Sequence, residues 1–317
     1  MRRIEEVLDG AEKICITGHI HPDGDCVGSC LGLYNYIREV RPDLSVTVYL
    51  EPFSENFLFL RGADRVDHTY PDAGPADVCL ALDCGDKERL GASGKYWDAA
   101  KRKVCIDHHV TNTAFGDINQ VCPKASSTSE VLFELMEEER ITKETAECLY
   151  LGIVHDTGVF KHSNTAGRTM AIAGKLLEKG VSSSYIIDET FYKKTFPQNK
   201  ALGRALASAR LLLDGKFIAG AVTADDLREL GLLPRELDGI VDQLRVTSGV
   251  CAAAFLYETG EAGQEWKVSL RANDGVDVSR IATLFGGGGH VKAAGCTMHG
   301  EWSEIAGQLA RLVEKQL

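Results

Sequence analysis

The sequence predicts an α/β protein, with a doubly wound, mainly parallel sheet in its N-terminal part and a smaller α/β domain with a mixed sheet after it. Short apolar runs alternate with stretches of helical spacing through the first half, the pattern of strand–helix units feeding a parallel sheet. Those runs are apolar almost throughout, as strands covered on both faces should be. The length, 317 residues, favours two domains over one.

Ile14-Cys15-Ile16-Thr17 reads as the first strand and residues 27–40 as the helix that follows, so His19, Asp23 and Asp25 fall on a strand-to-helix loop bent by Pro22 and Gly24. Residues 45–50, 78–82 and 103–106 read as the next three strands. Helical spacing covers 127–139, 143–155, 166–179 and 183–193. Pro197 suits the first position of a polar helix running to Leu213, which reads as a connector. Beyond it, 217–222, 250–257, 265–271 and 293–298 read as strands, and 236–245, 277–284 and 303–315 as helices. The domains are therefore expected at 1–192 and 214–317, with 193–213 as a linker helix.

Composition narrows the function. The apolar fraction is 44%, ordinary for a folded core. Apolar runs stay well short of 18 residues, and the opening Met1-Arg2-Arg3-Ile4-Glu5-Glu6 lacks a signal-peptide apolar region, so a soluble, cytoplasmic protein with no membrane partner is expected. A net charge of −11 argues against long duplex nucleic acid, whose binding needs many phosphate contacts from Lys and Arg. The ten cysteines form no C-x-x-C pair and read as reduced thiols. Cys26 and Cys84 stand beside the residues singled out below, which raises the question of oxidative inactivation.

The first, third and fourth strands each end in Asp or His: His19/Asp23/Asp25, then Asp83, then Asp107/His108/His109. In a parallel sheet these ends share one edge, where open α/β folds place their ligands. Asp156, closing a helical pattern, can approach the same edge. His19, Asp23, Asp25, Asp83, His108 and Asp156 suit two divalent metals with one carboxylate shared. Oxygen and imidazole donors favour Mn²⁺, with Mg²⁺, Co²⁺ or Fe²⁺ as alternatives. Asp107 reads either as a ligand or as an orienter of the neighbouring imidazole. His21 reads as a loop residue, His155 as core or cap, and Asp86 as a helix cap. His162 reads as a substrate contact or a loop residue.

A second constellation is Phe285-Gly286-Gly287-Gly288-Gly289-His290 followed by Val291-Lys292-Ala293-Ala294-Gly295. Its glycines separate a helix from a strand inside a compact domain and let backbone N–H groups approach a phosphate or base closely. His290 and the strand-end Arg271 add positive charge; Arg271 offers a planar fork matched to phosphate oxygens.

Gly18-His-Ile-His-Pro-Asp-Gly-Asp25, Leu82-Asp-Cys-Gly-Asp86, Ile106-Asp-His-His109 and Gly152-Ile-Val-His-Asp-Thr-Gly158 resemble the ordered motifs of the DHH phosphoesterase superfamily. Val268-Ser-Leu-Arg271, Val276-Asp-Val-Ser-Arg-Ile281 and the glycine run resemble its DHH-associated C-terminal domain. Size and order are similar to the NrnA-like nano-RNase branch. The resemblance implies an active-site cleft between two domains and cleavage of very short RNA or 3′-phosphoadenosine 5′-phosphate (pAp). It places His19 and Asp23 on one metal, Asp25, His108 and Asp156 on the other, and Asp83 between them. His109 would contact the scissile phosphate, while Arg271, Gly287, Gly288, Gly289 and His290 would hold the substrate's far end. Asn273 departs from the family pattern, in which Ser often directly follows the Arg. Cyclic-dinucleotide phosphodiesterases, RecJ-type exonucleases and DHH pyrophosphatases are the rival activities; a catalytically silent nucleotide-binding regulator is the rival outside enzymes. Oligomeric state stays open, with room for a homodimer.

Overall fold

A computed structural model describes residues 1–259, 264–273 and 275–317. Two compact units emerge, Met1–Lys193 and Lys194–Leu317.

The first unit carries strands β1 (Lys13–Thr17), β2 (Ser45–Tyr49), β3 (Val78–Leu82), β4 (Arg102–Asp107) and β5 (Ile118–Val121). They are ordered β2-β1-β3-β4-β5 and run parallel. One rung, Val48–Ile16–Leu80–Val104–Ile118, is apolar across the sheet, each buried side chain worth about 1.5–3 kcal/mol. The chain leaves β1 for β2 on one side and reaches β3 on the other, which makes the carboxyl ends of β1 and β3 a topological switch point. β5 was not legible in the sequence: Asn119 and Gln120 break the apolar pattern, which an edge strand tolerates.

The helix after β1 begins at Gly24, not at residue 27. Asp23 is its cap, accepting the N–H groups of Asp25 and Cys26 at 3.1 Å each. Asp25 therefore sits in the first helical turn, and only His19 and Asp23 precede the helix. The next helices span Thr128–Leu135, Lys143–Asp156 and Gly167–Glu178. The expected helix over 183–193 divides into Ser183–Ile187 and a π-helical turn, Asp188–Tyr192.

In the second unit the helix Phe196–Ser208 stops short of Leu213. The following residues form β6 (Arg210–Leu212), paired antiparallel to β7 (Phe217–Val222) through a tight turn in which Leu213, Asp214 and Gly215 all have positive φ. β8 (Ala252–Glu258), β9 (Glu265–Ala272), β10 (Gly288–His290) and β11 (Ala293–His299) complete a mixed sheet ordered β10-β11-β9-β8-β7-β6. β7 and β8 are parallel; the other neighbours are antiparallel. The helix Trp302–Glu314 seals one face with Ile305, Leu309 and Val313, and the helices Phe196–Ser208 and Ile240–Arg245 cover part of the other. The glycine run is not wholly loop: Gly288–His290 pairs with Ala293–Gly295.

Candidate metal centre

Because β1, β3 and β4 are neighbours, their carboxyl ends bring His19, Asp83 and His108/His109 together. Asp156 arrives as the last residue of the helix Lys143–Asp156, which lies tight against the helix Gly24–Val40. A Cβ at Gly152 would meet Ser129 Oγ at 2.0 Å and Asp25 Oδ1 at 2.4 Å, and one at Gly28 would meet Cys148 O at 2.5 Å. Only glycine permits this approach. Asp83 itself has φ +55°, a left-handed conformation uncommon outside Gly and tolerated best by Asn and Asp.

Three sets of donor atoms each fall within 4.8 Å of one another: His19, Asp23 and Asp83; Asp25, His108 and Asp156; and Asp83, His108 and His109. His19 Nε2 lies 3.7 Å from Asp23 Oδ1 and 3.5 Å from Asp83 Oδ2. His108 Nε2 lies 3.5 Å from Asp83 Oδ1 and 3.0 Å from Asp156 Oδ2. His19 Nδ1 faces its neighbour's carbonyl, Ile20 O, at 2.8 Å. A proton on Nδ1 leaves the Nε2 lone pair for the cluster.

Asp25 and Asp83 are 0% and 2% exposed. Burial, reinforced by the nearby Asp83 and Asp156, pushes the Asp25 carboxyl well above the usual carboxylate range. Burial likewise raises Asp156. For the imidazoles burial works downward, but hydrogen bonding to Asp23 and Asp83 raises His19 well past the histidine range. Asp156, followed by the charge of Asp25, lifts His108 to about 10. Four carboxylates and two imidazoles converging in a largely buried space, all oxygen and nitrogen donors, fit two divalent ions.

Asp107 stays outside these three sets. It is buried and accepts from His109 Nδ1 (2.7 Å), the His108 N–H (2.8 Å) and Asn112 Nδ2 (2.7 Å), so it orients His109. That hydrogen bond to Asp107 leads in raising His109. Asn112 had no sequence signal. Thr128 and Ser129 did: Ser127-x-x-Glu130 before an apolar stretch is a capping signature, and their N–H groups hold Asp25 Oδ2 at 2.6 Å and Oδ1 at 3.0 Å.

His155 packs against the Phe57 and Phe191 rings and bonds Thr190 Oγ1 through Nε2 at 2.9 Å; burial lowers it to about 4, so it is a neutral packing residue. His21 is an exposed loop residue 3.6 Å from Glu51. Asp86 accepts the Arg89 N–H at 3.0 Å, in the first turn of a short 3₁₀ helix. His162 is exposed, its Nδ1 3.3 Å from Asp156 O. Cys26 and Cys84 are fully buried free thiols, and burial pushes both well above the usual thiol range; such thiols are poor nucleophiles.

In the second unit, register places His290, Ala293 and Arg271 on one rung of β10, β11 and β9, hence on one face. Arg271 Nε is 3.6 Å from Asp242. Asn273 is structural: it accepts from Arg245 Nη1 at 2.9 Å and donates to Val250 O at 2.7 Å.

A model of the DHH family, N-terminal domain, matches residues 13–153, and one of the DHHA1 domain matches 214–316. The chain is 30% identical over 305 residues to the bifunctional oligoribonuclease and PAP phosphatase NrnA of Thermus thermophilus, covering 95% of this chain and 89% of that protein. It is 29% identical over 307 residues to the protein of the same name in Bacillus subtilis, covering 95% and 94%. Among solved structures, an exopolyphosphatase-related protein from Bacteroides fragilis superposes with a TM-score of 0.83 at 25% identity, covering 98% of this chain and 96% of that one.

Proposed function

The chain belongs to the DHH phosphoesterase family and is a hydrolase, and from that premise we infer that it cleaves short oligoribonucleotides to nucleoside monophosphates and pAp to AMP, with Mn²⁺ as the working metal. The observation that carries this reading is the meeting of three donor sets through two shared residues, Asp83 and His108. His19 and Asp23 would hold one ion, and Asp25, His108 and Asp156 the other, with Asp83 serving both. Such a pair of cations supplies Lewis acidity toward the phosphoryl oxygens and activates water. The protein's own groups do the rest. Asp107 fixes the His109 ring through Nδ1, and His109 would contact the scissile phosphate and hold developing charge there. Buried Asp25 and Asp83 fix the frame so that little reorganisation accompanies the reaction.

Residues 1–192 form the catalytic domain in this reading and 214–317 the substrate-binding one. Arg271, His290 and Gly287–Gly289 take the substrate's far phosphate or base in this reading. Oligoribonuclease and PAP phosphatase relatives that match nearly end to end support this substrate class.

The test is a side-by-side rate comparison with Mn²⁺, Mg²⁺ and chelator on a dinucleotide, a 20-mer RNA, a cyclic dinucleotide, pAp and pyrophosphate. Turnover of dinucleotide and pAp, abolished by chelator, is expected. A 20-mer or cyclic dinucleotide hydrolysed faster than the linear dinucleotide would overturn the assignment.

A further inference from the structure

Asp83 lies between two donor sets, and a carboxylate's terminal torsion is broad and nearly two-fold. Something must hold it so that Oδ2 faces His19 while Oδ1 faces His108. The structure places one hydroxyl there: Thr128 Oγ1 donates to Asp83 Oδ1 at 3.0 Å. Through its backbone N–H the same residue holds Asp25 Oδ2 at 2.6 Å. Thr128 is fully buried and touches both the shared carboxylate, Asp83, and Asp25 of the Asp25/His108/Asp156 set.

The helix start carrying it is fixed from behind. Ser127 Oγ accepts the Glu130 N–H at 3.0 Å. Glu130 is 1% exposed, and its carboxylate accepts from Ser126 Oγ at 2.6 Å and Thr169 Oγ1 at 2.7 Å, with Arg168 Nε at 3.2 Å. Asn164 Nδ2 donates to Ser126 O at 3.0 Å and to Asp156 O at 3.1 Å. The brace thus runs from the helix Gly167–Glu178 through Glu130 to Thr128, with a branch to the backbone of Asp156.

We propose that Thr128 is the positioning residue that sets the spacing of the two half-sites, by fixing the rotation of Asp83 against Asp25. This rests on the assignment of Asp83 as the shared ligand. Sequence alone assigns Thr128 no part beyond a helix start; its action on Asp83 exists only in three dimensions.

Thr128→Val keeps the shape and the N–H bond to Asp25 and removes only the hydroxyl. Titration calorimetry should read about 10- to 100-fold weaker Mn²⁺ binding, with kcat for a dinucleotide reduced and KM nearly unchanged. Thr128→Ser, which restores the hydroxyl, should recover both binding and kcat. A merely structural role would move the unfolding midpoint without this split and would not be rescued by Ser. If Thr128→Val does not fold, Thr128→Ala reads the same loss without crowding. Wild-type Mn²⁺ affinity in both hydroxyl-free variants would overturn the proposal. Asp83→Ala is the control: if it too binds Mn²⁺ normally, the assignment of the centre fails, whereas its loss of binding beside an unaffected Thr128→Val sinks only the role of Thr128.

Discussion

In the first unit, acidic groups are gathered out of water: Asp25, Asp83 and Asp107 are buried, and imidazoles or backbone N–H groups meet their oxygens. In the second, the chemically suggestive groups stay near solvent: Arg271 is part-buried beside Asp242, and His290 is exposed on a three-residue strand. Desolvated like charges are tolerated only with a cation or protons among them, so the first arrangement is one that a divalent metal would stabilise. A part-exposed cation beside a single carboxylate, as Arg271 is beside Asp242, carries no such demand. Under the proposed function, the contrast assigns chemistry to the first unit and substrate hold to the second.

The sharpest way to break it is at Asp83. Asp83→Ala should lower turnover of a dinucleotide by at least about 10³-fold, because Asp83 is the carboxylate proposed to serve both ions; steady-state rates at saturating Mn²⁺ check this.

Next is pH. His19 and His108 are raised in the metal-free protein, His108 to about 10, and a metal needs both neutral. Each therefore releases a proton on binding, and proton competition weakens as pH rises. Mn²⁺ affinity should climb by about tenfold per pH unit for each proton released, from these imidazoles and from the raised Asp25 and Asp156 carboxyls. Calorimetry in buffers of different ionisation enthalpy counts the protons; a pH-independent affinity would contradict the protonated apo cluster.

Gly152→Ala tests the packing under the cluster. Its Cβ would overlap Ser129 Oγ and Asp25 Oδ1, so a destabilisation of about 1–3 kcal/mol is expected from urea unfolding, together with weaker Mn²⁺ binding.

The smallest effect belongs to the second unit. Arg271→Ala should raise KM for a dinucleotide by about tenfold, the loss of one charge-assisted contact, with kcat within about twofold. A fall in kcat equal to that of the Asp83 variant would erase the distinction between the units.

The parallel sheet was legible because strands buried on both faces must be apolar throughout, as Val78–Leu82 is. The Asp and His ends of β1, β3 and β4 were legible for the complementary reason: polar groups directly after such strands have nowhere else to go but the sheet's edge. β5 and β6 were not, since edge strands lack that demand. The helix start at Gly24 was missed because Asp23 can serve as cap and as ligand candidate, and sequence pattern does not separate the two uses.

By itself, the sequence determined the parallel α/β class, the candidate donor residues and the family they resemble, all of which follow from local composition and order. Tertiary structure decided which atoms meet: that Asp107 turns to His109, that Asn273 braces Arg245 and Val250, and that Thr128 reaches Asp83 across 45 residues of chain. The physical reason is that apolar periodicity is set by each segment's own burial. Hydrogen-bond partners distant in sequence are chosen only when packed helices and strands fix their separation to within a few tenths of an ångström.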